Sequence, residues 1–105
     1  MLDNQNRACI AVTAGGGDVC LLPQMANRHG LIAGATGTGK TCTLQNMTET
    51  FSRMGVPVFA TDIKGDLSGV ARPGGGNAAL QRSVDAHHLT ERGFAYAASP
   101  VCLWD

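Results

Sequence analysis

The sequence predicts an α/β fold: a parallel sheet with flanking helices, incomplete, and preceded by an N-terminal β-hairpin. Three observations carry that expectation. A compact apolar run, Gly30-Leu31-Ile32-Ala33-Gly34, leads into a glycine-rich segment that ends in Gly39-Lys40-Thr41. From Gly39 to Met54 the apolar residues Leu44, Met47, Phe51 and Met54 recur at helical spacing. A second apolar run, Val56-Pro57-Val58-Phe59-Ala60, follows directly. Strand, helix and strand in this order imply a right-handed parallel crossover, and non-alternating apolar runs suit strands covered on both faces.

Each element has its own local signal. Ala8–Val12 and Val19–Leu22 are short β-type runs separated by Ala14-Gly15-Gly16-Gly17-Asp18, which reads as a hairpin turn, and Pro23 ends the second run. Residues 1–25 therefore form the hairpin unit, and 26–105 the α/β part. Gly55 and Pro57 stop the helix that begins near Gly39. Arg72-Pro73-Gly74-Gly75-Gly76 reads as a loop, and Asn77 caps a second helix ending near Gly93. Phe94–Ala97 is predicted as a third strand, and Val101–Trp104 as an extended piece after the Ser99-Pro100 turn.

Composition narrows the partners. The 105 residues fit a single domain, and 44% hydrophobic against 15% charged residues describes a globular segment, not a disordered tail. Eight basic residues balance eight acidic ones, so the chain lacks the electrostatic footprint of a self-sufficient nucleic-acid binder. The longest apolar runs are three to five residues, far below the roughly 20 that span a bilayer, so no membrane is expected and the cytoplasm is the default location. The four cysteines, Cys9, Cys20, Cys42 and Cys102, form no Cys-x-x-Cys pair and read as small buried hydrophobes, without a disulfide framework.

The chemistry lies in Gly34-Ala35-Thr36-Gly37-Thr38-Gly39-Lys40-Thr41, a match to the Gly-x-x-x-x-Gly-Lys-Ser/Thr phosphate loop, or Walker A pattern. With 14 Gly, two Lys and 13 Ser plus Thr in the chain, chance produces the pattern somewhere with a probability of about 0.4%. The expected fold is thereby a P-loop nucleotide-hydrolase sheet. Gly34, Gly37 and Gly39 let backbone N–H groups approach an anion, and the helix start adds its positive dipole end. Ala35, Thr36, Thr38 and Cys42 supply further amides around the phosphates. Lys40, the expected catalytic residue, pairs with the β- and γ-phosphates, and the Thr41 hydroxyl is the expected ligand of Mg²⁺. ATP and Mg²⁺ are the implied cofactors.

Other candidates carry less. Asp62 ends an apolar run, as a magnesium-organising acid does, yet it lies only about twenty residues beyond the loop, on the next predicted strand. Lys64 and Asp66 also fit an ordinary solvated turn. His87 and His88 are adjacent, point about 100° apart on a helix and suit a surface role. Cys42, in the first helical turn, is expected to pack in the core.

With those residues identified, the chain resembles the N-terminal part of a HerA-like ATPase of the YjgR type, in the FtsK/HerA group of P-loop motors. The resemblance rests on Leu-Leu-Pro at 21–23, Ala-Asn-Arg-His-Gly-Leu-Ile at 26–32, the loop at 34–41, Phe-Ser-Arg at 51–53, Gly-Val-Pro-Val-Phe at 55–59 and Asp-Ile-Lys-Gly-Asp-Leu at 62–67. The last stretch is similar to a signature that such ATPases carry after the second core strand, which sets Asp62 apart from Walker B. The resemblance implies a homo-hexameric ring that hydrolyses ATP to move or unwind DNA, with DNA bound only by the full-length motor. Family members are several hundred residues long, so the chain is expected to be a truncated piece that lacks the catalytic glutamate and arginine finger. The alternatives are a nucleotide-binding module without hydrolysis and a P-loop small-molecule kinase.

Overall fold

Residues 1–104 are described by a computed structural model. Strand β1 (Ala8–Val12) pairs antiparallel with β2 (Asp18–Leu21), with Ala8 opposite Leu21 and Cys9 opposite Cys20. The register shifts between Cys9 and Ala11, a bulge that leaves Ile10 without a direct partner. In the connecting turn Thr13 N–H donates to Gly17 O (2.8 Å), Gly17 N–H donates to the Thr13 hydroxyl (2.9 Å), and Gly16 takes φ +83°, a conformation that favours glycine.

Helix α1 (Lys40–Arg53) forms where the periodicity placed it. Its end carries a glycine motif: Gly55 adopts φ +81°, and Val56 N–H reaches back to Phe51 O at 2.9 Å. The helix packs against β1 and the short 3₁₀ segment Ser68–Ala71. Its buried face is rotated from the predicted stripe. Thr50 is the fully buried residue, while Leu44 is exposed. Burial of Thr50 is tolerated because its hydroxyl donates to Asn46 O at 2.7 Å, one turn back.

Helix α2 (Ala78–Ala86) is shorter than the sequence suggested. Asn77 Oδ1 accepts from Ala79 and Leu80 N–H (3.0 and 3.1 Å), the N-cap that its side-chain chemistry predicts. The helix stops before Gly93 because His88 turns left-handed, at φ +53°, and Leu89 N–H closes on Val84 O at 3.0 Å. A separate 3₁₀ turn, Thr90–Arg92, then leads to Gly93.

Among the described residues the predicted parallel sheet is not present. The antiparallel pair β1–β2 and two helices are the regular architecture, and residues 30–34, 56–60, 94–97 and 101–104 join no strand ladder. A strand gains its backbone hydrogen bonds only from a neighbour, and here α1 packs on the hairpin instead of between two paired strands. Large apolar side chains in three of these runs consequently face solvent: Leu31 is 89% exposed, Phe59 78% and Trp104 82%. Phe59 and Trp104 meet as tilted rings 6.3 Å apart, a contact between two of the unpaired runs. The buried apolar core is correspondingly small, with Ala8, Cys9, Val70 and Val84 at its centre.

The cysteine reading is also corrected. Cys9 and Cys20, placed opposite each other by the hairpin register, form a disulfide, and Cys42 and Cys102 are exposed, not buried. Linear spacing gave no hint of the bond, because cross-strand proximity depends on which residues the register brings together.

Candidate functional site

Residues 34–41 form an exposed loop that turns into the N-terminus of α1. Its shape is set at two glycines, Gly37 at φ +81° and Gly39 at φ +97°, where an L side chain is strained. Gly34 is needed for a different reason: a Cβ there would lie 2.5 Å from Thr38 Oγ1. Gly39 occupies the N-cap position and offers no side-chain cap. The first amides of α1, on Lys40, Thr41 and Cys42, therefore lack an intrahelical acceptor and lie at the positive end of the helix dipole. An anion fits such a set of donors.

The loop closes on one carbonyl. Ala35 O accepts from Thr38 N–H (3.3 Å), Thr38 Oγ1 (2.6 Å) and Lys40 Nζ (2.9 Å). A carbonyl oxygen has two lone pairs, so three donors crowd it, and the ammonium is the one that an incoming anion can draw away. Ala35 and Thr36 are exposed, as is Cys42. Thr43 Oγ1 donates to Gly39 O at 3.1 Å and secures the first helical turn.

A second segment joins the loop. Asp62 gathers the turn 62–68 by accepting four backbone N–H bonds: Gly65 (2.9 Å) and Asp66 (3.2 Å) on Oδ1, Leu67 (3.0 Å) and Ser68 (3.2 Å) on Oδ2. Partial loss of hydration raises its pKa, but these four amides, Leu67 foremost, outweigh that effect and hold the carboxyl below its ordinary value. The turn then presents Asp66 to α1. Thr41 Oγ1 donates to Asp66 Oδ2 at 3.2 Å, and Gln45 Nε2 donates to Asp66 O at 2.8 Å. Thr41 and Gln45 are four residues apart on one helix face, so the turn is held at two points. Lys64 makes no such contact and is exposed.

Sequence reasoning missed an ionic cluster along the hairpin. Asp3 accepts from Gln5 N–H (2.9 Å), Arg7 N–H (2.7 Å) and Arg7 Nε (2.7 Å), while Arg7 Nη2 reaches Asp18 Oδ2 at 2.8 Å. Arg92, from the C-terminal half, pairs with Asp18 and donates to Gly16 O at 2.9 Å. The Arg7 backbone N–H foremost, opposed by burial and aided by the Arg7 guanidinium and Gln5 N–H, lowers the Asp3 pKa. Asp3, Cys9 and Asp18 offer ligand atoms within 4.8 Å of one another. The carboxylates already have arginine partners and the Cys9 sulfur is in the disulfide, so the cluster acts as a clasp between hairpin and C-terminal half. The signal available in the sequence was opposite charge at 3, 7, 18 and 92, which has no spacing rule.

A cavity of about 470 Å³ lies along α1, with Cys42, Asn46, Thr50, Val70, Phe94 and Tyr96 among its walls, and none of residues 34–41 lines it. His87 and His88 are exposed. No helix among the described residues is long and apolar enough to cross a membrane.

The family model described as helicase HerA-like C-terminal matches residues 7–105. The chain belongs to the HerA-like helicase family. Searches of curated proteins and of solved structures gave no match. The HerA-like match spans the hairpin, the loop 34–41 and the Asp62 turn together. Its description concerns the C-terminal region of such helicases; the narrower likeness to the N-terminal part of a YjgR-type protein goes beyond the match.

Proposed function

We propose that this HerA-like chain is a nucleotide-binding segment of a DNA-translocating ATPase, in which residues 34–41 hold the phosphates of ATP. The observation that carries the reading is the coincidence of the Gly-x-x-x-x-Gly-Lys-Thr pattern with an uncapped helix start, the position where free amides and the helix dipole favour an anion. Lys40 leaves Ala35 O for the β- and γ-phosphates, and the amides of residues 35–42 surround them. Mg²⁺ suits the Thr41 hydroxyl, an oxygen donor of the kind that this hard cation prefers, and when bound it neutralises phosphate charge.

The YjgR-type assignment, the hexameric ring and DNA as a partner rest on the sequence resemblance and belong to the whole motor. Hydrolysis needs a residue that positions water and commonly a cationic finger from a neighbouring subunit, worth about 10³–10⁵ in rate. We therefore assign binding to this segment and turnover to the assembled motor. Calorimetry of the chain with ADP and ATP in the presence of Mg²⁺ tests the assignment: saturable binding that is weakened by Lys40→Ala is expected, and absence of binding overturns it.

A further inference from the structure

We propose that Asp66 positions the Thr41 hydroxyl for a divalent cation, an inference that rests on the nucleotide-binding reading above. A threonine hydroxyl has one proton and two lone pairs, and a cation can take a lone pair only if the proton points elsewhere. In the structure Thr41 Oγ1 lies 3.2 Å from Asp66 Oδ2, which accepts that proton and leaves the lone pairs free. An anionic acceptor also makes the hydroxyl oxygen a better donor to metal, as outer partners of metal ligands generally do.

The carboxylate is held there by design of the turn and not by chance contact of two exposed side chains. Asp62 fixes the backbone from Gly65 to Ser68 through four amides, Gly65 takes φ +77° to allow the bend, and Gln45 Nε2 holds the Asp66 carbonyl at 2.8 Å. The Asp66 side chain can then address Thr41, one helical turn before Gln45. Its charge has opposite consequences for two ligands: it attracts the cation and repels a nucleotide that arrives without one. That opposition separates metal positioning from simple support of the loop.

The test uses ADP as probe, titrated calorimetrically with and without Mg²⁺, on the full chain and on Asp66→Ala and Asp66→Asn. For Asp66→Ala the Mg²⁺ concentration giving half of the rise in ADP affinity should increase about tenfold, the lower end of the range for loss of an outer metal partner. Affinity for ADP without Mg²⁺ should stay the same or increase. Asp66→Asn, which keeps the size and the backbone anchor, should also raise the Mg²⁺ midpoint. An unchanged Mg²⁺ midpoint in both variants overturns the role of Asp66 while leaving nucleotide binding intact. A parallel fall in affinity with and without Mg²⁺ also overturns it, since that marks general damage to the loop. If the wild-type chain fails to bind ADP at all, the nucleotide reading fails and this inference falls with it.

Discussion

Replacing Lys40 with alanine removes an ammonium that donates to Ala35 O at 2.9 Å. On the proposed nucleotide-binding reading, that group would exchange a neutral carbonyl for an anionic phosphate oxygen. A hydrogen bond to a charged group contributes about 1.5–3 kcal/mol and a neutral one about 0.5–1.5 kcal/mol, so the exchange leaves about 1–1.5 kcal/mol in favour of binding. The expected loss on Lys40→Ala is about 5- to 12-fold in the Kd for ADP with Mg²⁺. Lys40 is the first residue of α1, and alanine is the best helix former, so helix content should be preserved and circular dichroism should show it. Titration calorimetry at fixed ionic strength measures the ratio of affinities. Equal Kd values for wild type and variant would refute the argument that the loop works through this ammonium.

Three further outcomes are expected. Reduction of the Cys9–Cys20 bond, or the double change Cys9→Ala and Cys20→Ala, opens a loop whose ends are 11 residues apart; chain entropy puts the cost at about 3 kcal/mol. Hydrogen exchange at the Thr13 and Gly17 amides should accelerate, and unchanged protection would show that the clasp of Arg7, Arg92 and Asp18 suffices. For Asp62, whose folded pKa lies below the ordinary 3.8, the stabilisation of its turn is fully present above that value and is lost as pH falls through the lower, folded one. The amide shifts of Gly65 and Leu67 should therefore titrate with a midpoint below 3.8, and a midpoint at or above it would count against the four-amide cradle. Finally, with zero net charge the chain alone should bind DNA only in the non-specific range, about 10⁻⁴ M or weaker at physiological salt; micromolar binding by fluorescence anisotropy would contradict this.

What the sequence determined by itself is local chemistry. The Asn77 cap, the glycine stop at Gly55, the hairpin turn at 13–17 and the helix opening at Lys40 each depend on bonds spanning a few residues or on a φ angle that glycine allows, and all were legible from residue type and order. The Gly-x-x-x-x-Gly-Lys-Thr pattern was legible for the same reason, since it occupies eight consecutive positions. Tertiary structure decided the rest. The Cys9–Cys20 bond follows from hairpin register, the Arg92–Asp18 pair from docking of the C-terminal half, and the Thr41–Asp66 contact from a turn 25 residues away. The largest difference, the absence of the predicted parallel sheet, has the same origin. An apolar run such as 30–34 or 56–60 states that its residues favour burial, but not which backbone will supply its hydrogen bonds; that depends on long-range pairing, whose entropy cost and partners no local pattern encodes.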